Sequence, residues 1–188
     1  MSKLDEAIKF AVDAHSGQLR KMFGSPYVLH PLEAAAIIGR LTNEEDILCA
    51  AVLHDVVEDT DVGIDEIKAR FGERVASLVA AETENKRKEL PPEATWRVRK
   101  EETLEHLKKT DDIAVKFLWM GDKLSNMRSL LKAYYLIGDD IWNYFNNKNK
   151  KDQEWYYRSI ADALRPSMTG TAAFKEYEAI IEIIFGND

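Results

Sequence analysis

Apolar positions along the chain recur at helical spacing almost throughout. Leu4, Ile8, Ala11 and Val12 fall on one stripe, which predicts a first helix ending near Gly17. Gly24, Ser25 and Pro26 cluster in the stretch Gly17–His30, which therefore reads as a loop. Pro31 sits where a helix can start, because the N–H it lacks is not needed in a first turn; the next helix is LEAAAIIGRL. From Glu44 to about Thr60 the chain reads as a third helix whose first half is almost wholly apolar, so it should be central and buried. Short helices follow around Ile64–Phe71 and Glu73–Ala81. The charged run Asn85–Glu93, with Pro91-Pro92, reads as a surface loop. Further helices are expected over 95–109, 112–133, 139–147, 151–164 and 172–185, and the Lys-rich run from Lys148 to Gln153 reads as a solvated turn. Alternating, strand-like segments are lacking, so the expected class is all-α, folded as a single domain over 1–188.

Composition narrows the choice of function. Of 188 residues, 45 % are hydrophobic and 31 % charged, which suits a globular domain and not a disordered chain. The 26 Lys+Arg against 33 Asp+Glu give a formal charge of −7, which argues against sequence-independent nucleic-acid binding. A small anionic ligand held by a few local cations remains open. The single Cys49 offers no internal disulfide and permits a reducing compartment. The start MSKLDEAIKF has no apolar signal core, and charges interrupt each apolar run before it could span a bilayer. The expectation is a cytoplasmic protein without membrane or nucleic-acid partners, monomeric or homodimeric.

Polar residues stand where a core helix should have none. After ILCAAVL come His54, Asp55, Val56, Val57, Glu58 and Asp59. Glu58 is four residues after His54 and Asp59 four after Asp55, so helical spacing gathers them on roughly one side. Desolvating an imidazole and three carboxylates is costly unless something cationic compensates, and a divalent metal would do so. A helix end fraying into water would account for the same residues. His30, before Pro31, is pushed toward an extended backbone at a helix entrance, as a ligand or as a capping residue. Asp122 lies among bulky apolar residues in KFLWMGDKLSNMRSLL and needs a partner, either a cation or a structural salt bridge. Together His30, His54, Asp55 and Asp122 could supply four N/O ligands with room for water and substrate. His15, at the end of the first helix, and His106, in a charged helix, read as surface residues.

The ordered set His30-Pro31, Ala-Ala-Val-Leu-His54-Asp55-Val-Val-Glu58-Asp59-Thr60 and Gly-Asp122-Lys-Leu-Ser-Asn126-Met-Arg128 resembles the HD superfamily of metal-dependent phosphohydrolases. Within it the chain is similar to the hydrolase domain of RelA/SpoT proteins, especially the stand-alone small alarmone hydrolases. Arg20-Lys21 before Gly-Ser-Pro-Tyr27 fits that pattern, as does Glu82-Thr83-Glu84-Asn85-Lys86, where the family more often has Thr-Asp-Asp-Lys. The resemblance covers about residues 5–131, with closing helices over 139–185. It implies a helical HD fold and one Mn²⁺ held by His30, His54, Asp55 and Asp122. It implies Glu58 and Asp59 as the catalytic acidic pair. It also implies Arg20, Lys21, Asn126, Arg128 and Ser129 as substrate-pocket residues; Tyr27 would stack on a base or pack in the pocket wall.

The activity so implied is hydrolysis of (p)ppGpp, releasing its 3′-pyrophosphate and leaving GDP or GTP. Glu58, one turn past His54-Asp55, would take the proton of the attacking water, while Asp59 orients that water or carries a proton to the leaving oxygen. Arg20 and Lys21, on a loop before His30, would meet the pyrophosphate. Two alternatives stand beside this one. The same fold could act on another phosphorylated nucleotide such as NADPH, or the chain could be a non-catalytic nucleotide-binding module.

Overall fold

The computed structural model describes residues 2–87 and 89–186. Among the described residues the chain is helical with no strand, and its only bridge of the β type joins Leu19 and Pro26. The all-α expectation is met. The chain divides into two compact units, Met1–Thr83 with Asp112–Ser125 and Glu84–Asp111 with Asn126–Asp188.

The first unit contains α1 (Lys3–Ala14), α2 (Leu29–Ile38), α3 (Glu45–Leu53), α4 (Val56–Asp59), α5 (Ile64–Phe71) and α6 (Glu73–Glu82). It also holds the first half of α8 (Ile113–Ile137). α1 starts at a reciprocal cap: Ser2 Oγ accepts from the Asp5 N–H and Asp5 Oδ2 accepts from the Ser2 N–H. Such a cap contributes about 1 kcal/mol. Ala7, Phe10 and Ala11 form the buried stripe of α1. α3 is the buried centre the sequence called for, with Ile47, Cys49, Ala50, Ala51, Val52 and Leu53 all inside.

The third helix is shorter than its sequence pattern. It stops at Leu53 and a separate turn, α4, begins at Val56. The His54 ring explains the break: its Nδ1 lies 2.7 Å from the Ala51 carbonyl, the acceptor residue 55 would use in a continuous helix. α2 likewise begins at Leu29, ahead of Pro31, so His30 lies inside the first turn and not before it. The proline ring still falls where a missing N–H costs nothing.

One close approach inside this unit bears on the site. A Cβ placed on Gly121 would meet Ile38 Cδ1 and Cγ1 at 2.6 Å and the Ala34 carbonyl at 2.9 Å. α2 and α8 therefore touch backbone to side chain at the residue just before Asp122, and only glycine fits.

The second unit contains α7 (Pro92–Lys109), the rest of α8, a 3₁₀ segment (Gly138–Tyr144), α9 (Lys150–Met168) and α10 (Ala172–Phe185). The 3₁₀ segment stands where the sequence predicted a helix over 139–147, and α9 runs past the predicted end at 164 through Pro166. The Lys-rich run expected as a solvated turn instead opens α9: Asn149 caps it by accepting from the Lys151 and Asp152 N–H groups, and Gln153 is buried. Lys88, in the predicted surface loop, lies outside the described residues. Trp142, Tyr156 and Tyr157 are core, with Trp142 stacked on Phe185 at 5.5 Å, whereas Tyr144 is exposed. Arg99 is buried and donates to Glu84 at 2.9 Å, and Lys100 reaches the same carboxylate at 3.2 Å. Glu84 of the Thr83–Lys86 segment is thus tied into a salt bridge.

Candidate metal centre

In the first unit α2, the α3–α4 break and α8 each deliver a polar side chain to one point. His30 Nε2 lies 3.0 Å from Asp122 Oδ1 and 3.5 Å from Asp55 Oδ2. His54 Nε2 lies 3.3 Å from Asp55 Oδ2 and 3.7 Å from Asp122 Oδ1. The two rings meet edge to face, with centroids 5.2 Å apart. His30, His54 and Asp122 are buried and offer ligand atoms all within 4.8 Å of one another. All four residues read from the sequence as ligands are therefore brought together.

The donor chemistry fits a divalent cation. Both rings use Nδ1 away from the centre, His30 toward Ser125 Oγ at 2.8 Å and His54 toward the Ala51 carbonyl. Each Nε2 is left facing carboxylate oxygens. His54 Nε2 is buried and makes no well-formed hydrogen bond. Two nitrogens and two oxygens converging without protons of their own need a positive charge between them. Where only protons supply it, burial works against a charged His54, but Asp55 and Asp122 outweigh it and hold the imidazole well above its ordinary value. Burial likewise opposes the ionised Asp55, yet His54 and His30 keep it below the usual carboxylate range. Asp122 is also buried and still depressed, because Lys123 and the two imidazoles favour its charge. Lys123 pairs with Asp122 Oδ2, and its ammonium sits over the Trp119 ring at 4.5 Å.

Tyr27 is placed differently from a base-stacking wall. Its hydroxyl lies 2.8 Å from Asp55 Oδ2 and 2.7 Å from Asp59 Oδ2, joining Asp55 to one of the paired acidic residues. Burial, with Asp55 and Asp59 beside it, pushes the phenol far above its ordinary value, so it acts as a donor. His15 is not a surface residue: it is buried, stacks on Tyr27 at 4.9 Å and bonds Gln18 Oε1 at 2.8 Å. Gln18 Nε2 in turn donates to the Asp59 carbonyl at 2.8 Å, so α1 braces α4 through these side chains. Glu58 is half-buried on α4. Arg20 lies over Tyr27, 5.6 Å from the ring centroid, while Lys21 is exposed beside it.

The remaining expected substrate contacts, Asn126, Arg128 and Ser129, belong to the second unit on the continuation of α8. There Arg128 grips Glu176, with Nε and Nη2 each donating at 2.7 Å. His106 is exposed, as expected. The sequence reading gave no role to Glu33, Ser125 or Glu82. Ser125 Oγ donates to Glu33 Oε2 at 2.7 Å. Both Glu82 oxygens are buried without a hydrogen-bond partner, and burial pushes this carboxyl up to about 8. Asp122 and Asp55 add to that rise, and His54 and Lys123 oppose it.

A sequence profile of the HD domain matches residues 7–149, which span every element of this cluster. The chain belongs to the HD-domain family. An HD domain implies a divalent metal, and here His30, His54 and Asp122 are placed to hold one. This HD domain is 38 % identical over 128 residues to a guanosine-3′,5′-bis(diphosphate) 3′-pyrophosphohydrolase of Aquifex aeolicus. It is 36 % identical over 135 residues to the bifunctional (p)ppGpp synthase/hydrolase SpoT of Escherichia coli K12. These matches cover 68 % and 69 % of the chain but only 18 % of each relative, so the HD domain corresponds to a small part of those proteins. Among solved structures, a metazoan ortholog of SpoT described as hydrolysing ppGpp superposes with a TM-score of 0.75 at 26 % identity. That match covers 97 % of this chain and 96 % of the other. A Listeria monocytogenes EGD-e protein gives 0.72 at 34 % identity, covering 84 % and 99 %. Among the described residues no helix is long and apolar enough to cross a membrane.

Proposed function

We propose that this HD domain is a Mn²⁺-dependent hydrolase that removes the 3′-pyrophosphate of (p)ppGpp, giving GDP or GTP and pyrophosphate. The convergence of two imidazole nitrogens and two carboxylates on one point carries the reading, beside a second acidic pair one turn away. The names of the curated relatives and of the metazoan neighbour support the substrate. His30, His54, Asp55 and Asp122 would hold the ion. When bound, a divalent cation acidifies water and draws charge from a phosphoryl oxygen.

The rest of the work falls to side chains. Water adds to the phosphorus that bears the ribose 3′-oxygen, and the bond between that phosphorus and the 3′-oxygen breaks. Glu58 accepts the water proton. Asp59, fixed by the Tyr27 hydroxyl and by Gln18 on its carbonyl, orients that exchange and relays a proton to the departing 3′-oxygen. Arg20 and Lys21 lie on the loop beside Tyr27 and supply positive charge for the pyrophosphate. A net charge of −7 does not oppose this, since the local cations set the field at the site.

The test is purified protein with Mn²⁺ given ppGpp, NADPH and a nucleotide panel, with pyrophosphate and phosphate followed. Pyrophosphate release from ppGpp that disappears in Glu58→Gln supports the proposal. Turnover confined to another nucleotide, or tight ppGpp binding with no product, refutes it.

A further inference from the structure

The two histidines present the same nitrogen to the cluster but are held in different ways. His54 Nδ1 rests on a neutral acceptor, the Ala51 carbonyl of its own helix. His30 Nδ1 rests on Ser125 Oγ at 2.8 Å, and Ser125 Oγ donates to Glu33 Oε2 at 2.7 Å. A serine hydroxyl has a single proton. With that proton on the Glu33 carboxylate, the Ser125 oxygen meets His30 only as an acceptor, so His30 Nδ1 carries hydrogen. The donors run His30 to Ser125 to Glu33 and end on a negative charge.

We propose that Glu33 and Ser125 are positioning residues that orient His30 and make its Nε2 a stronger donor to a divalent cation. The proposal rests on the reading of His30 as a metal ligand. Three observations support it. Ser125 is 1 % exposed, so water does not compete for its hydroxyl. Glu33 follows His30 by one turn of α2, and Ser125 follows Asp122 by one turn of α8, so each helix carries both a ligand and half of the support. The relay also bridges α2 and α8 where Gly121 lets them approach, beside the 3.0 Å pair of His30 Nε2 and Asp122 Oδ1. Negative charge passed through a polarised hydroxyl raises the electron density of the opposite ring nitrogen, as carboxylate partners of ligating histidines do.

The experiment compares wild type, Ser125→Ala and Glu33→Gln. Glu33→Gln keeps the shape and an acceptor oxygen while removing the charge, so it tests the relay even if Ser125→Ala folds poorly. Mn²⁺ affinity is read from the free-ion paramagnetic resonance signal. In chelated protein the hydrogen-bonded His30 Nδ1–H is followed by proton NMR. Expected are a loss of Mn²⁺ affinity of roughly 10- to 100-fold in Ser125→Ala, a smaller loss in Glu33→Gln, and an Nδ1–H resonance that moves upfield in Glu33→Gln and vanishes in Ser125→Ala. A merely structural role would not move that resonance with charge alone. Mn²⁺ affinities of both variants within about two-fold of wild type overturn the proposal, given the size expected of such partners. Wild-type protein that takes up no Mn²⁺ refutes the metal reading instead, and the resonance then reports the relay by itself.

Discussion

Replacing Tyr27 by Phe separates two roles that a tyrosine beside a nucleotide site can play. The change removes one oxygen, and that oxygen stands 2.8 Å from Asp55 Oδ2 and 2.7 Å from Asp59 Oδ2. The hydroxyl has one proton, so it serves one carboxylate at a time, and one charge-assisted hydrogen bond is lost. Such a bond is worth about 1.5–3 kcal/mol, which corresponds to roughly 10- to 150-fold in rate if it is felt in the transition state. The aromatic face is unchanged, so stacking on His15 and under Arg20 survives. Steady-state release of pyrophosphate from ppGpp with Mn²⁺ should therefore show kcat falling by that factor while KM stays within about three-fold, since on the proposed reading a bond to Asp59 is not ground-state binding energy. A kcat equal to wild type with a KM raised about ten-fold would refute the positioning role and return Tyr27 to the wall of a base pocket.

Other outcomes follow from the same geometry. His54→Ala should lose its metal on dialysis, measured as metal content per chain, because one ligand of four is gone; full occupancy would break the ligand assignment. In chelator, the raised His54 contributes stability that is complete below its ordinary value of 6.5 and is lost as pH rises. Glu82, raised from 4.5 to about 8, loses stability in the same direction. The depressed Asp55 and Asp122 act oppositely, contributing above 3.8 and failing as pH falls below it. Melting of chelated protein should thus be highest on the mildly acidic side and decline toward alkaline pH, less steeply in Glu82→Gln, and Mn²⁺ should cancel the decline because it binds deprotonated imidazole. Gly121→Ala drives a methyl into Ile38 and the Ala34 carbonyl, and should cost about 1–3 kcal/mol, or roughly 2–12 °C of melting temperature.

Helix positions and the four convergent side chains were legible because both rest on local signals: apolar periodicity, and charge where periodicity demands a hydrophobe. His54 and Asp122 stood out because their neighbours are Leu53 and Met120. What the sequence hid was tertiary. The spacing from His54 to Asp59 looked like one helix, since nothing in it shows a ring taking the Ala51 carbonyl. His15 at a helix end looked solvated, but its ring is covered by Tyr27 from the far end of the loop that follows. Glu33 resembled any charge on a helix face, and Ser125 any small polar residue, until the fold set them 2.7 Å apart. Glu82 was read as part of a motif; only the packed end of α6 shows that its carboxyl is buried without a hydrogen-bond partner, near enough to Asp122 and Asp55 for their charge to raise it.

Gly121 gives the bore of this centre an unusual control. The close approach of α2 and α8 depends on an atom that is not there, and any side chain at that position acts as a wedge. Larger side chains at this one residue would press α2 and α8 apart while every convergent side chain keeps its identity.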